Sequence, residues 1–268
     1  VSMASTFFGL HIGSSALSSF QVATNTTANN IANVKTTGYT RQEATLQAKD
    51  AINVTARYGS VGTGVTVTSI KQQRDLYYDN KYWENNSCYG RYEQKLYYME
   101  QIQNYFKDNG SSVKGFSSVF SQMFSDLDTL RSKPSDKTVR NQFISSAQSL
   151  CTYFNQMSDN LSKLQDDCNE EIRNNVDKIN SISEKISLLN KEINQIETGT
   201  GVEASSLRDE RANLIDSLSK IVNVSYNETE VQNTNGDNLG GTNFSLYING
   251  EKVVEGKDIE LVEFFYYD

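Results

Sequence analysis

The sequence predicts a mainly α fold: a long-helix, rod-like bundle with an N-terminal helix, an extended β-like arm and the start of a β-rich domain. Three observations predict it. Proline occurs once, at Pro134, so helices run unobstructed on either side of it. An apolar stripe recurs at three- and four-residue steps from Val139 to Ile196, longer than an ordinary globular helix needs. The stretches that break helical periodicity, 42–70 and 223–254, alternate with a period of two and are punctuated by glycine.

Taken in order, Leu17, Phe20, Thr24, Thr27, Ile31 and Val34 form one narrow seam on an N-terminal helix, flanked by Ala16, Ala23 and Ala28. The rest of each turn is Ser, Thr, Asn and Gln, so the helix has little apolar surface and needs partner helices. Lys35 to Thr37 lead out, and Gly38 supplies a permissive turn. The arm reads Ile52 to Ala56, then Gly59, Gly62 and Gly64, then Val65 to Ile70. A helix is expected from Lys71 or Gln72 to Lys107, stopped by Asp108 to Ser112. The next carries Phe116, Phe120, Phe124 and Leu127 to Ser132. Ser135 or Asp136 then caps the longest helix, whose stripe runs through Phe154, Cys168 and Ile179 to Ile196. After Gly199 and Gly201 a shorter helix bears Leu207, Leu214, Ile215, Leu218 and Ile221. Strands follow, with Asn249-Gly250 as a hairpin signal. The expected organisation is 1–42 helix and turn, 43–70 arm, 71–222 helix bundle and 223–268 the opening of a β-rich region. Nothing covers Phe264 to Tyr267, so a chain cut short at Asp268 is expected.

A net charge of −8 and a pI near 4.9, with no basic stripe, argue against a nucleic-acid partner. No run reaches the roughly 18 to 20 apolar residues that span a bilayer, so no membrane partner is expected. No basic, apolar leader precedes His11, so no cleavable secretory signal is expected. Cys88, Cys151 and Cys168 are odd in number and form no C-x-x-C pair; Cys168 reads as a small buried hydrophobe.

Catalytic candidates are sparse. His11 is the single histidine, which leaves little for a Ser-His-Asp triad or a zinc site, and no phosphate loop is present. No catalytic residue, metal ligand or cofactor is expected. Asp166, Asp167, Glu170 and Glu171 read as a solvated helix face. Arg208, Asp209, Glu210 and Arg211 read as surface pairing.

The run Ala28-Asn29-Asn30-Ile31-Ala32-Asn33, followed by Gly38-Tyr39-Thr40-Arg41-Gln42, resembles the N-terminal motif of bacterial flagellar axial proteins: rod, hook and hook-associated proteins. Gly62-Thr63-Gly64-Val65, Ile70 and Arg74-Asp75, then Leu207 to Arg211 through Leu214 to Ser219, and Tyr247-Ile248-Asn249-Gly250 narrow the resemblance to the hook-filament junction (FlgK) family. It covers essentially the whole chain. Thr37 stands where the group often has proline, and the family's C-terminal helix is missing.

The resemblance implies a structural, non-enzymatic subunit in a ring of like subunits. Leu17, Phe20, Thr24, Thr27 and Ile31 would form its assembly interface. Its partners would be the hook protein, the next hook-associated protein, an export chaperone and the flagellar export apparatus. It would lie outside the cell, exported without a cleaved signal. A hook or rod subunit, or a secreted helical effector or adhesin, remain alternatives from the residues alone.

Overall fold

The computed structural model of the chain describes residues 7–53, 59–108, 115–234, 236 and 238–265. Among the described residues there are five helices, α1 (Phe8–Ala32), α2 (Leu76–Tyr105), α3 (Phe116–Ser132), α4 (Lys137–Glu197) and α5 (Ser205–Ser219). The mainly α expectation therefore holds. Val1 to Met3, Val54 to Ala56 of the arm, Asn109 to Ser112 of the expected stop, and Tyr266-Tyr267 lie outside the described residues.

Strands β1 (Gln42–Ala48) and β4 (Val65–Gln72) pair antiparallel, with Gln42 opposite Gln72. Between them, β2 (Ile52–Asn53) pairs with β3 (Ser60–Val61). Lys71 and Gln72 thus end a strand instead of starting a helix. Ladder bonding continues to Gln73, whose N–H donates to the Arg41 carbonyl at 2.8 Å. Helix α2 starts later, where Asp75 Oδ1 accepts from the Tyr77 N–H at 2.9 Å.

The chain divides into two compact units. The first, Val1–Ser87 with Ile179–Val262, holds α1, the arm, the end of α4, α5 and a second sheet. That sheet has the antiparallel order β5 (Val224–Gln232), β6 (Asn238–Ile248), β7 (Glu251–Glu255), β8 (Asp258–Ile259). Its core brings together Trp83, Ile179, Ile182, Ile186, Ile215 and Leu218 with Val224, Phe244, Leu246 and Val254. A register shift after Leu246 explains why neighbours Val253 and Val254 are both buried, since the bulge lets two consecutive side chains face inward. Trp83 is wholly enclosed and its indole N–H donates to Asp216 Oδ1 at 2.7 Å.

The second unit, Cys88–Lys178 with Glu263–Asp268, is helical. Asp108 Oδ2 accepts from the Ser118 N–H at 2.8 Å, placing a carboxylate on the positive end of α3. Asp136 Oδ1 does the same for α4 through the Thr138 N–H at 2.8 Å. Phe116 stacks on Phe120 at 5.1 Å and tilts against Phe154 at 5.9 Å. Among the described residues of this unit, Met157 is the one buried apolar side chain. Cys168 is half-buried, not enclosed as its stripe position suggested, and Cys88 and Cys151 are exposed.

Candidate functional site

Helix α1 has two different faces. Ser15, Ser19, Val22, Thr26 and Asn30 recur at three- and four-residue steps and turn toward β1 and β4. Ser19 and Thr26 are buried there, and the Ser19 hydroxyl donates to the Val65 carbonyl at 3.1 Å. Small, polar residues let the arm approach the helix backbone. A Cβ on Gly64, which has φ +108°, would lie 2.2 Å from Ser15 Oγ.

The seam lies on the other side. Leu17 is 71 % exposed, Phe20 59 % and Ile31 68 %, and Val34 continues it into solvent. Thr24 and Thr27 are exposed too, their hydroxyls donating to the Phe20 and Ala23 carbonyls one turn back at 2.8 and 3.0 Å. The helix therefore docks on its own arm through its polar face and leaves its apolar one uncovered. A groove lined by Thr27, Ile31, Val34, Tyr39, Arg41 and Glu43 borders the seam at its C-terminal end.

The asparagines that close α1 build a clasp. Asn30 Nδ2 donates to the Gln42 carbonyl at 2.8 Å, while Asn30 Oδ1 accepts from the Gln42 N–H at 2.9 Å. The amide thus reproduces a strand pairing at the start of β1. The Tyr39 hydroxyl donates to Asn30 Oδ1 at 2.8 Å and accepts from Asn29 Nδ2 at 3.1 Å. Asn33 Nδ2 reaches back to the Asn29 carbonyl at 3.1 Å, and Thr36 Oγ1 donates to Asn33 Oδ1 at 3.1 Å. Ala28 and Ala32 are exposed beside them. Arg41 is exposed and pairs with Glu43 at 3.3 Å.

The turn then meets α5. Gly38 has φ +77°, and a Cβ there would sit 1.7 Å from Asn213 Oδ1. Asp209 Oδ1 accepts from the Thr40 N–H at 3.2 Å and from Gln72 Nε2 at 2.8 Å, tying both ends of the arm to α5. Burial, then the Asp209 charge, pushes the Tyr39 phenol up.

Arg208 and Arg211 overturn the surface-pairing expectation. Glu197, 3 % exposed, receives both Arg208 Nε and Nη2, at 2.7 and 2.8 Å, and its Oε1 also accepts from the Ala204 N–H at the start of α5. Glu228 bridges Arg208 Nη1 at 3.1 Å and Arg211 Nη2 at 3.0 Å, and accepts from the Thr242 hydroxyl at 2.7 Å. Arg211 also donates to Asn190 Oδ1 at 2.9 Å and stacks over the Phe244 ring at 3.9 Å. Burial lowers the Arg211 guanidinium. Burial disfavours the Glu228 charge, but Arg211 and Arg208 outweigh it and hold that carboxyl below its usual range. A carboxylate at Glu228, in line with Val224 and Tyr226 on the inward face of β5, was the sequence signal that a buried cation had to face it.

Glu171 also departs from the solvated-face expectation. It is half-buried and accepts from Gln94 Nε2 at 2.6 Å and from the Tyr98 hydroxyl. Burial first, then the Glu171 hydrogen bond, raises the Tyr98 phenol. These charged groups are matched by their neighbours, and what α1 offers to solvent is apolar contact area.

The family model described as the flagellar hook-associated protein FlgK helical domain matches residues 99–264. The flagella basal body rod protein family matches residues 10–40, which hold the seam and the clasp. The flagellar hook-associated protein 1 of Bacillus subtilis is 34 % identical over 234 residues, covering 85 % of this chain and 46 % of that protein. Its namesake in Salmonella typhimurium is 33 % identical over 249 residues, covering 90 % and 41 %. The chain thus spans less than half the length of these relatives. The solved hook junction protein FlgK from Burkholderia pseudomallei superposes with a TM-score of 0.56 at 21 % identity, over 68 % of this chain and 30 % of that one, a likeness of fold.

Proposed function

The chain belongs to the family of the flagellar hook-associated protein FlgK, and we propose that it is a structural, non-enzymatic subunit of the bacterial flagellum. It forms the junction between hook and filament by helix-mediated polymerisation. The observation that carries this reading is the exposed seam of Leu17, Phe20, Thr24, Thr27 and Ile31 on a helix whose opposite face is already docked. Such a helix is positioned by its own subunit and covered by others. Burying three large apolar side chains contributes about 1.5–3 kcal/mol each, enough to drive association once many subunits line up.

The labour divides along the chain. Helix α1 and its turn serve assembly, and the paired strands of the arm, ending at Gln72, carry that helix. The other helices and the β5–β8 sheet make the outer body. The motif from Ala28 to Gln42 sets the pose of the helix, because Asn30 and Tyr39 fix its end to the arm. Partners of the assembled ring are further copies of the same chain, the hook protein below and the next hook-associated protein above. An export chaperone and the flagellar export apparatus deliver it outside the cell.

The test is the triple variant L17E/F20E/I31E, placed in the full-length gene and introduced into a strain lacking its junction protein. Filament attachment is expected to be lost, while the purified chain keeps its circular dichroism and unfolding midpoint. Retained attachment would overturn the assignment, and so would global unfolding of the variant, because the seam would then be part of the subunit's own core. Deleting residues 1–32 should give the same separation.

A further inference from the structure

The motif from Leu207 to Arg211 is only half used by the core. Its arginines turn to Glu197 and Glu228, while Asp209 reaches the arm. Steps of four and three set Asp209, Asn213 and Asp216 along one side of α5. Each meets a different part of the chain. Asp209 Oδ1 receives the Thr40 N–H, ahead of β1, and Gln72 Nε2, at the end of β4. Asn213 lies against Gly38 of the turn, and Asp216 takes the Trp83 indole of α2. Gln72 is the pin of this joint. Besides its bond to Asp209, Nε2 donates to the Ser205 carbonyl at 2.9 Å, and the Gln72 N–H donates to Glu203 Oε1 at 3.2 Å.

On the arm's side of the joint the parts are tied to one another. Asn30 pairs with Gln42, the Ser19 hydroxyl reaches the Val65 carbonyl, and β1 and β4 share a ladder. On the other side lies the apolar core, built among the described residues on α2, α4, α5 and the β5–β8 sheet, with no side chain from α1, β1 or β4. Hydrogen bonds are directional where apolar contact is not, so a joint made of them fixes an angle. We propose that Asp209, acting through Gln72, is the positioning residue of α1: it sets the angle at which α1 and the arm, as one piece, stand on the core. The proposal rests on α1 being the helix that assembles. The bonds of Asp209 go to Thr40 and Gln72 and to no seam residue, so it serves assembly only by aiming the seam.

The test is a pair of distances in the whole chain, read between nitroxide labels with Cys88, Cys151 and Cys168 replaced by serine. S18C with E251C spans the joint, and S18C with Q47C lies within the piece; all three positions are exposed. Asp209→Ala should shift or broaden the first distance and leave the second unchanged, with Trp83 emission and the urea midpoint kept. Gln72→Ala, from the other side of the joint, should do the same. Asp209→Asn retains an acceptor oxygen and should stay close to the parent. Exchange of the Thr40 amide should speed up about 10-fold or more in D209A. In the full-length gene D209A should impair filament attachment although every seam residue is intact. A joint distance as narrow in D209A and Q72A as in the parent, a second distance that broadens with the first, loss of the Trp83 core in D209A, a D209N as broad as D209A, or normal attachment with D209A would each overturn the proposal. L17E/F20E/I31E should leave both distances unchanged. Retained attachment of that variant would sink the assembly reading, whereas the two distances judge the joint itself.

Discussion

Two lengths of the same helix carry apolar stripes of similar density and meet opposite fates. Between Ile179 and Ile193 of α4, five stripe positions are buried, and three of them, Ile179, Ile182 and Ile186, share a core with α5, Trp83 and the inner face of the β5–β8 sheet. Between Val139 and Val176 the stripe is closed at Met157, while Phe154 and Ile172 stay open at 52 % and 44 % exposure. The difference is the kind of layer available. A sheet presents a broad face with side chains at every second residue, so one sheet closes a whole helical stripe. Helices α2 and α3 each present only a ridge, and of the α3 rings that pack on one another, Phe116 also meets Tyr153 and Phe154 of α4 without enclosing Phe154. The first unit is therefore a self-sufficient core, and the second is a surface with apolar area to spare.

The largest expected effect breaks the comparison directly. Phe244 is enclosed, stacks on Tyr226 at 4.9 Å and lies under Arg211. Phe244→Ala should cost about 3–5 kcal/mol in urea unfolding. Phe154→Ala, the same chemistry at an open site, should cost about 1 kcal/mol or less. Equal losses would mean that the helical unit has a core as dry as the first.

The next effect concerns charge. Glu228→Gln leaves the buried Arg211 short of its counter-ion and should cost about 3 kcal/mol. It should also change the pH dependence. The folded carboxyl is held below its unfolded value, so its contribution is complete above pH ~4.5 and is lost as the pH falls through the folded value. Unfolding midpoints of the parent chain should drop across that acid window, and those of E228Q should drop less. A midpoint difference between the two that stays constant from pH 7 to pH 3 would show that Glu228 carries no linkage.

How much of this was legible in the sequence also divides along the two regions. Periodicity gave five helices, and the cap at Asp136 was readable as a start signal because its partner lies two residues ahead, whereas the cap at Asp75 was passed over for a start at Lys71 or Gln72. The hairpin at Asn249-Gly250 was readable for the same local reason, with both residues at positive φ. The buried network was not. Arg208 and Arg211 sit beside Asp209 and Glu210, so local spacing offered cheap partners, whereas their real partners, Glu197 and Glu228, come from α4 and β5. The clasp was half legible. The asparagines announced themselves as a motif, but the donor and acceptor roles of Asn30 depend on where Gln42 lies in space. Which face of α1 docks was hidden too, because burial there follows close approach of small residues and not apolarity.

Smaller effects probe the clasp that holds the assembly helix to the first unit. Asn30→Ala removes the acceptor for two donors and the amide that meets the Gln42 carbonyl, and should cost roughly 1–3 kcal/mol. That loss should appear as faster amide exchange in the last turns of α1 and in β1, with Trp83 and the β5–β8 sheet unaffected. Gly38→Ala meets two obstacles, a positive φ and the Asn213 side chain. Adding Asn213→Ala removes the second but not the first, so the double variant should recover part of the loss and retain about 1 kcal/mol from backbone strain. Full recovery would mean that the left-handed turn is not enforced by the fold, and the Gly38-Tyr39 step would then be free to re-aim the helix. No recovery would put the whole cost in the backbone, making the turn a rigid elbow that fixes the angle at which the seam of α1 faces its neighbours.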